Sequence, residues 1–230
     1  MTGSNLKEAR QKAGWTQQQT AFALGMTQGY LSMVESGRRP VTPSVAARAS
    51  QAFDLPPTAL PMEPENSLSL NDEELKADLG ALGYPGFSYL RGKPARNPTQ
   101  LLSYALNQAD LDMRVVEALP WMTSTYVDMD WESLVGHAKQ HDRQNRLGFV
   151  VTVAKKFAER TGDSTRVEKL NRYQELLDPS RLAREDTLCQ DSMTQAERRW
   201  LHDNRGPEAR HWNLLTDLDV DHLAYVPHSA

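Results

Sequence analysis

Apolar and polar positions in the first sixty residues alternate at helical spacing, in short runs broken by glycine. Leu6, Ala21, Leu24, Leu31, Val34, Val45, Ala49, Ala52 and Phe53 supply the apolar set, the pattern of short amphipathic helices sharing one small core. The run boundaries carry helix signals. Asn5 with Glu8 forms a capping-box pattern for a first helix that stops at Gly14. Thr16 with Gln19 repeats the pattern for a second, stopped at Gly25, and Thr27 caps a third, closed by Gly37. Thr42-Pro43 opens a fourth, with proline at the first helical position. Pro56, Pro57, Pro61 and Pro64 then predict a linker. Asn71, Asp72, Glu73 and Glu74 start a short helix to Leu82, residues 83–87 read as a turn, and 91–98 as an irregular arm.

From Asn97-Pro98 to near residue 218 the pattern is helical, with no strand alternation. The strongest run is Arg143–Arg160. Leu147, Val150, Val151, Ala154 and Phe157 form one stripe, and Phe149 and Val153 a second, so this helix is expected at the centre of its domain. Thr165 with Glu168 and Thr194 with Glu197 are further capping boxes. The pattern predicts an all-α chain: a head at 1–60, a linker and arm at 61–97, a helical body at 98–218 and a tail at 219–230.

Charge separates head from body. In residues 1–57, Lys7, Arg10, Lys12, Arg38, Arg39 and Arg48 outnumber Glu8, Glu35 and Asp54, a surplus of three positive charges. The whole chain carries −4, which leaves −7 on the rest. A basic head on an acidic body fits a head that meets phosphate. The 230 residues, 39% hydrophobic and 24% charged, include no run near the roughly 18 apolar residues of a membrane span. MTGSNLKEAR lacks the apolar core of a signal peptide, so a cytoplasmic location and no membrane partner are expected. A single cysteine, Cys189, excludes an internal disulfide and a Cys-rich zinc site.

Residues 16–37 have the spacing of a helix-turn-helix. Gly25 allows the left-handed turn, Ala21 is small where the helices cross, and Leu24, Leu31 and Val34 fill the angle. At about 100° per residue, Leu31 and Val34 point inward, and Gly29, Ser32, Met33 and Ser36 outward. The second helix of this unit enters the major groove N-terminus first. Gln28 is best placed there, and glutamine can contact adenine N6 and N7 together. Ser32 can bond to more than one base, and Met33 offers apolar contact, for example to a thymine methyl. Gly29 weakens the helix by roughly 0.5–1 kcal/mol but lets the backbone lie close to DNA. Tyr30, Gln17 and Thr27 are candidates for phosphate contact near helix starts, and Arg38 and Arg39 for phosphate neutralisation.

The stretch LKEARQKAGWTQQQTAFALGMTQGYLSMVESGRRPVTPSVAARASQAFDL closely resembles the lambda-repressor/Cro-like, or Xre-type, helix-turn-helix family. The matching positions are Leu6, Arg10, Gly14, Thr16, Gln17, Ala21, Leu24, Gly25, Leu31, Glu35, Gly37 and Pro43. The resemblance implies a five-helix domain that binds double-stranded operator DNA, usually as a homodimer. It also implies that Arg10 pairs with Glu35 and that Gln17 and Gln28 touch DNA. Thr20, where a leucine is usual, Phe22, where a polar residue is typical, and Gly29, at a common contact position, depart from the family. The stretch from Leu101 to Arg160 is similar to helical C-terminal regions of Xre-type proteins encoded beside toxin genes. That suggests a toxin–antitoxin or related phage-defence setting, with a nucleotidyltransferase-type toxin as one candidate partner.

Chemistry in the body is sparse. His137 and His141 are four apart, as two metal ligands on a helix can be, but they lack the glutamate of HExxH and a third ligand. Asp128 and Asp130 form either a paired-carboxylate site or, for Asp130, the cap of the following helix. Trp121, Trp131, Trp200 and Trp212 are expected as core or interface anchors. No phosphate loop or nucleophile elbow is present. The expectation is a regulator without catalytic residues, metal or cofactor. It is an autorepressor on a palindromic operator; the alternatives are an antitoxin that binds its toxin through the body, and a ligand-sensing regulator.

Overall fold

The computed structural model describes residues 1–63, 68–90, 92 and 96–223. Pro64 of the proline cluster, residues 91 and 93–95 of the 91–98 arm, and the tail from 224 lie outside the described residues. The chain is all-α and divides into two units, a head of residues 1–63 with 96–97, and a body of 68–90, 92 and 98–223.

The head holds α1 (Gly3–Lys12), α2 (Gln17–Ala23), α3 (Gln28–Glu35) and α4 (Pro43–Ala52). The caps at Thr16, Thr27 and Thr42 form as expected, and Gly14, Gly25 and Gly37 stop α1, α2 and α3 with φ of +70°, +60° and +74°. The first cap differs. Thr2, not Asn5, caps α1, and Asn5 occupies the third helical position of the box. The extra turn packs on α3: a Cβ at Gly3 would lie 1.9 Å from the Val34 carbonyl oxygen. In place of a fifth α-helix after α4 there is one 3-10 turn, Pro57–Ala59, where Pro56 and Pro57 lack the N–H groups a longer helix needs. Leu6, Ala21, Leu24, Leu31, Val34, Val45 and Ala49 form the core, with Ala52 and Phe53 partly buried against it. Asn97, which returns to the head from beyond the proline-rich stretch, donates from Nδ2 to the carbonyls of Thr58 at 2.9 Å and Leu60 at 2.7 Å.

The body contains α5 (Asp72–Ala81), a 3-10 turn Pro85–Leu90, α6 (Pro98–Asn107), α7 (Met113–Thr125), α8 (Trp131–Gln140), α9 (Gln144–Arg160) and α10 (Ser164–Leu177). A 3-10 turn Asp178–Ser180, β1 (Asp186–Thr187), α11 (Gln195–Asn204), α12 (Pro207–His211), β2 (Leu214–Leu215) and a last 3-10 turn Val220–His222 follow. Residues 68–90, expected as part of a linker, place Leu75, Leu79, Leu82, Tyr84 and Phe87 in the body core. The start of the expected tail also joins it, through Val220 and Leu223. Helix α9 is central as its two stripes require, buried continuously from Gln144 to Ala154. Asp163, not Thr165, caps α10; its Oδ1 accepts from the Arg166 N–H at 3.0 Å.

The expectation of helix to residue 218 fails between α10 and α11. There β1 lies, and it pairs in parallel with β2, which follows α12, Asp186 opposite Leu214 and Thr187 opposite Leu215. Polar side chains of α9 gather this segment. Asn145 exchanges two hydrogen bonds with the Leu182 main chain, each 2.9 Å. Arg146, fully buried, meets Asp186 from Nε at 2.9 Å and Nη2 at 3.0 Å, and donates from Nη1 to the carbonyls of Leu106 and Gln108. Trp212 covers Gly148 and donates to Thr152 Oγ1 at 2.8 Å. Trp131 stacks on Tyr173, and Trp121 packs edge-on to Tyr84. Of the four tryptophans expected as core or interface anchors, Trp200 stays outside the core, 57% exposed. No helix among the described residues is long and apolar enough to cross a membrane.

Candidate nucleic-acid interface

The two helices of the 16–37 unit meet around Gly25, where the Met26 N–H reaches back to the Ala21 carbonyl at 2.9 Å. Leu31 and Val34 are fully buried and hold α3 to the core. Gln28, Gly29, Ser32, Met33 and Ser36 are exposed together on its other face. Thr27 Oγ1 accepts from the Tyr30 N–H at 3.2 Å, which orders the first turn of α3. Tyr30 is half-buried and packs on the head core, while Arg38 and Arg39 are exposed just beyond α3.

A buried charge cluster sets the inner end of α3. Glu35 accepts from Arg10 Nε at 2.6 Å and Nη2 at 3.0 Å, as the resemblance implied. Arg10 Nη1 also donates to the Trp15 carbonyl at 3.1 Å. The third partner was not foreseen: Gln17 Nε2 donates to Glu35 Oε2 at 3.0 Å. One carboxylate thus ties α1, α2 and α3 together. Burial alone would raise the Glu35 pKa, but the hydrogen bonds from Arg10 and Gln17 outweigh it and hold it below the ordinary value. The same pairing raises the Arg10 pKa. The side chain of Gln17 therefore faces inward to Glu35, and the group it can offer a phosphate is its main-chain N–H in the first turn of α2.

The candidate chemistry of the body does not converge. Asp130 caps α8, accepting from the Ser133 N–H at 3.0 Å, whereas Asp128 pairs with Lys169 at 2.6 Å. These two carboxylates serve separate structural contacts. His137 is half-buried within α8 and His141 is exposed at its end. Among the described residues no group of three His, Cys, Asp or Glu side chains is placed to hold a metal ion. Cys189 is buried beside Arg146, and burial pushes its thiol up to about 11, away from the thiolate a nucleophile needs.

Sequence reasoning also left Phe22 as a bare departure from the family. It is 89% exposed, on the outer side of α2.

Residues 6–60 match the helix-turn-helix family model, of the lambda-repressor-like, Xre type. The head is therefore a DNA-binding domain of the kind found in transcription regulators. No curated protein and no solved structure matches the chain.

Proposed function

We propose that the protein is a sequence-specific repressor of its own operon that binds a palindromic operator as a homodimer. The observation that carries this reading is the division of α3 into two faces. Leu31 and Val34 lock one face to the core, Glu35 fastens the inner end, and Gln28, Ser32 and Met33 stand clear on the other. Gln28 reads a base edge, Ser32 and Met33 extend the reading along the groove, and the main-chain N–H of Gln17 with Thr27, Tyr30, Arg38 and Arg39 engages the backbone. An eight-residue α3 spans few base pairs. Two copies on half-sites about 34 Å apart supply the remaining specificity, and the body is the element that joins them. Gel shift of the full chain on its own promoter, with sedimentation of the free and bound protein, tests the reading. A monomer on DNA, or equal affinity for promoter and random duplex, overturns it.

A second reading adds neutralisation of a cognate toxin through the body. It draws on the exposed side chains there, Trp200 at 57%, Tyr89 at 70% and Leu176 at 52%, since large aromatic side chains are frequent anchors of protein interfaces. Co-purification with the neighbouring gene product tests it. A body that forms no stable complex with that product overturns it.

A further inference from the structure

We infer that Gly29 is a specificity-determining residue, and that the notch it leaves on the reading face receives a thymine methyl group of the operator. The inference rests on the DNA-reading role proposed for α3.

The fold accounts for every other glycine of the head. Gly14, Gly25 and Gly37 have positive φ, and Gly3 lies against the main chain of α3. Gly29 has neither reason. It sits within the helical span of α3, and an added Cβ would meet no atom within 4 Å. Glycine inside a helix lowers its stability relative to alanine, so the fold alone favours alanine here. What the missing side chain provides is space on the outside of the helix, next to Gln28.

Met33 defines the character of that space. It lies one turn on from Gly29, on the same face, and is 37% exposed with an apolar side chain. With no Cβ at residue 29 and the apolar Met33 one turn on, this part of the face is open and has room for a methyl group. In the major groove the apolar group offered by a base pair is the C5-methyl of thymine. Any side chain at residue 29 would take its place.

The test pairs a filled notch with a removed methyl. The full chain first selects duplexes from a random-sequence pool, and each thymine of the selected duplex is then replaced by uracil. One thymine is expected to matter to the wild type through its methyl, uracil there weakening binding about fourfold, the worth of one buried methyl. Gly29→Ala should weaken binding to the thymine duplex roughly tenfold, the effect of overfilling a packed site. It should recover most of that loss on the uracil duplex. Gly29→Ala should also raise the thermal midpoint of the head. Gly136→Ala in α8, where an added Cβ again meets nothing within 4 Å, should stabilise the body and leave DNA binding unchanged. Gly29→Ala binding the thymine duplex as tightly as wild type, or no uracil position coupled to it, overturns the notch while leaving the DNA-reading role intact. A wild type that enriches no duplex overturns the DNA-reading role, and the notch with it.

Discussion

Arg146 meets Asp186 through two parallel hydrogen bonds inside the body, with the arginine wholly buried and the carboxylate largely so. The pair spans forty positions of sequence and holds β1 to α9. Removing Asp186 leaves the buried guanidinium with one carboxylate partner, Asp191 at 3.3 Å, in place of two parallel bonds, and its charge poorly compensated.

Asp186→Ala is expected to destabilise the body by about 3–5 kcal/mol. Urea unfolding of the full chain, followed by far-UV circular dichroism, measures it. A change within about 1 kcal/mol, the typical effect of an ordinary substitution, would mean that the pair is not what holds this segment.

The same carboxylate gives a pH dependence. Burial, the largest single effect, would raise the Asp186 pKa, but the bonds and charge of Arg146, with the Thr187 N–H and the charge of Arg143, together outweigh it and hold it below the ordinary value. A depressed carboxylate contributes stability that is present above its unfolded pKa and lost as pH falls through the folded value. The body should therefore lose this contribution as pH falls below about 4. Asp186→Asn should flatten that acid limb in unfolding curves recorded at successive pH values.

Glu35→Gln should loosen α3. It removes the charge that Arg10 and Gln17 converge on, at a cost of roughly 1–3 kcal/mol for leaving buried donors poorly satisfied. Operator affinity should fall although the side chain touches no base. Hydrogen exchange of the α3 amides in the full chain checks it: protection should drop in α1, α2 and α3 together.

Gly148→Ala should destabilise by at least about 1–3 kcal/mol, the usual cost of overpacking, because the new Cβ would lie 2.3 Å from the Trp212 ring. Trp212→Leu in the same chain should recover part of the loss. Strict additivity of the two substitutions in denaturant midpoints would show that ring and notch are uncoupled.

Arg38→Ala and Arg39→Ala should each reduce the slope of log affinity against log salt by about one, on operator and random DNA alike. Gln28→Ala should instead weaken operator binding by about 1–3 kcal/mol with the slope unchanged. Fluorescence anisotropy across a salt series separates the two effects.

Local signals made the head legible. The caps at Thr16, Thr27 and Thr42 depend on residues three apart, and each forms as read. The cap at Thr2 is equally local, Thr2 Oγ1 accepting from the Asn5 N–H and the Asn5 side chain from the Thr2 N–H, but Asn5 with Glu8 offers the same spacing, and spacing alone does not choose between two overlapping boxes. Helix α9 was legible from its two apolar stripes, whereas the segment around β1 was not. Its shape comes from Asn145 and Arg146, polar side chains that a hydrophobic pattern assigns to solvent. In the candidate site, residue types were readable but directions were not. Gln17 in the first turn of α2 suits a phosphate or a neighbouring carboxylate equally, and only the packed helices show that its amide turns to Glu35.

Asn97 bears on how such a head can be inherited or transplanted. Its amide closes the Thr58–Leu60 turn from thirty-seven residues beyond Leu60, whereas the recognisable family segment ends at residue 60. A head cut at that boundary and fused to a new partner leaves two carbonyls open at its seam. Swapping the body of such a regulator therefore also requires a replacement for one asparagine that sequence comparison would count as belonging elsewhere.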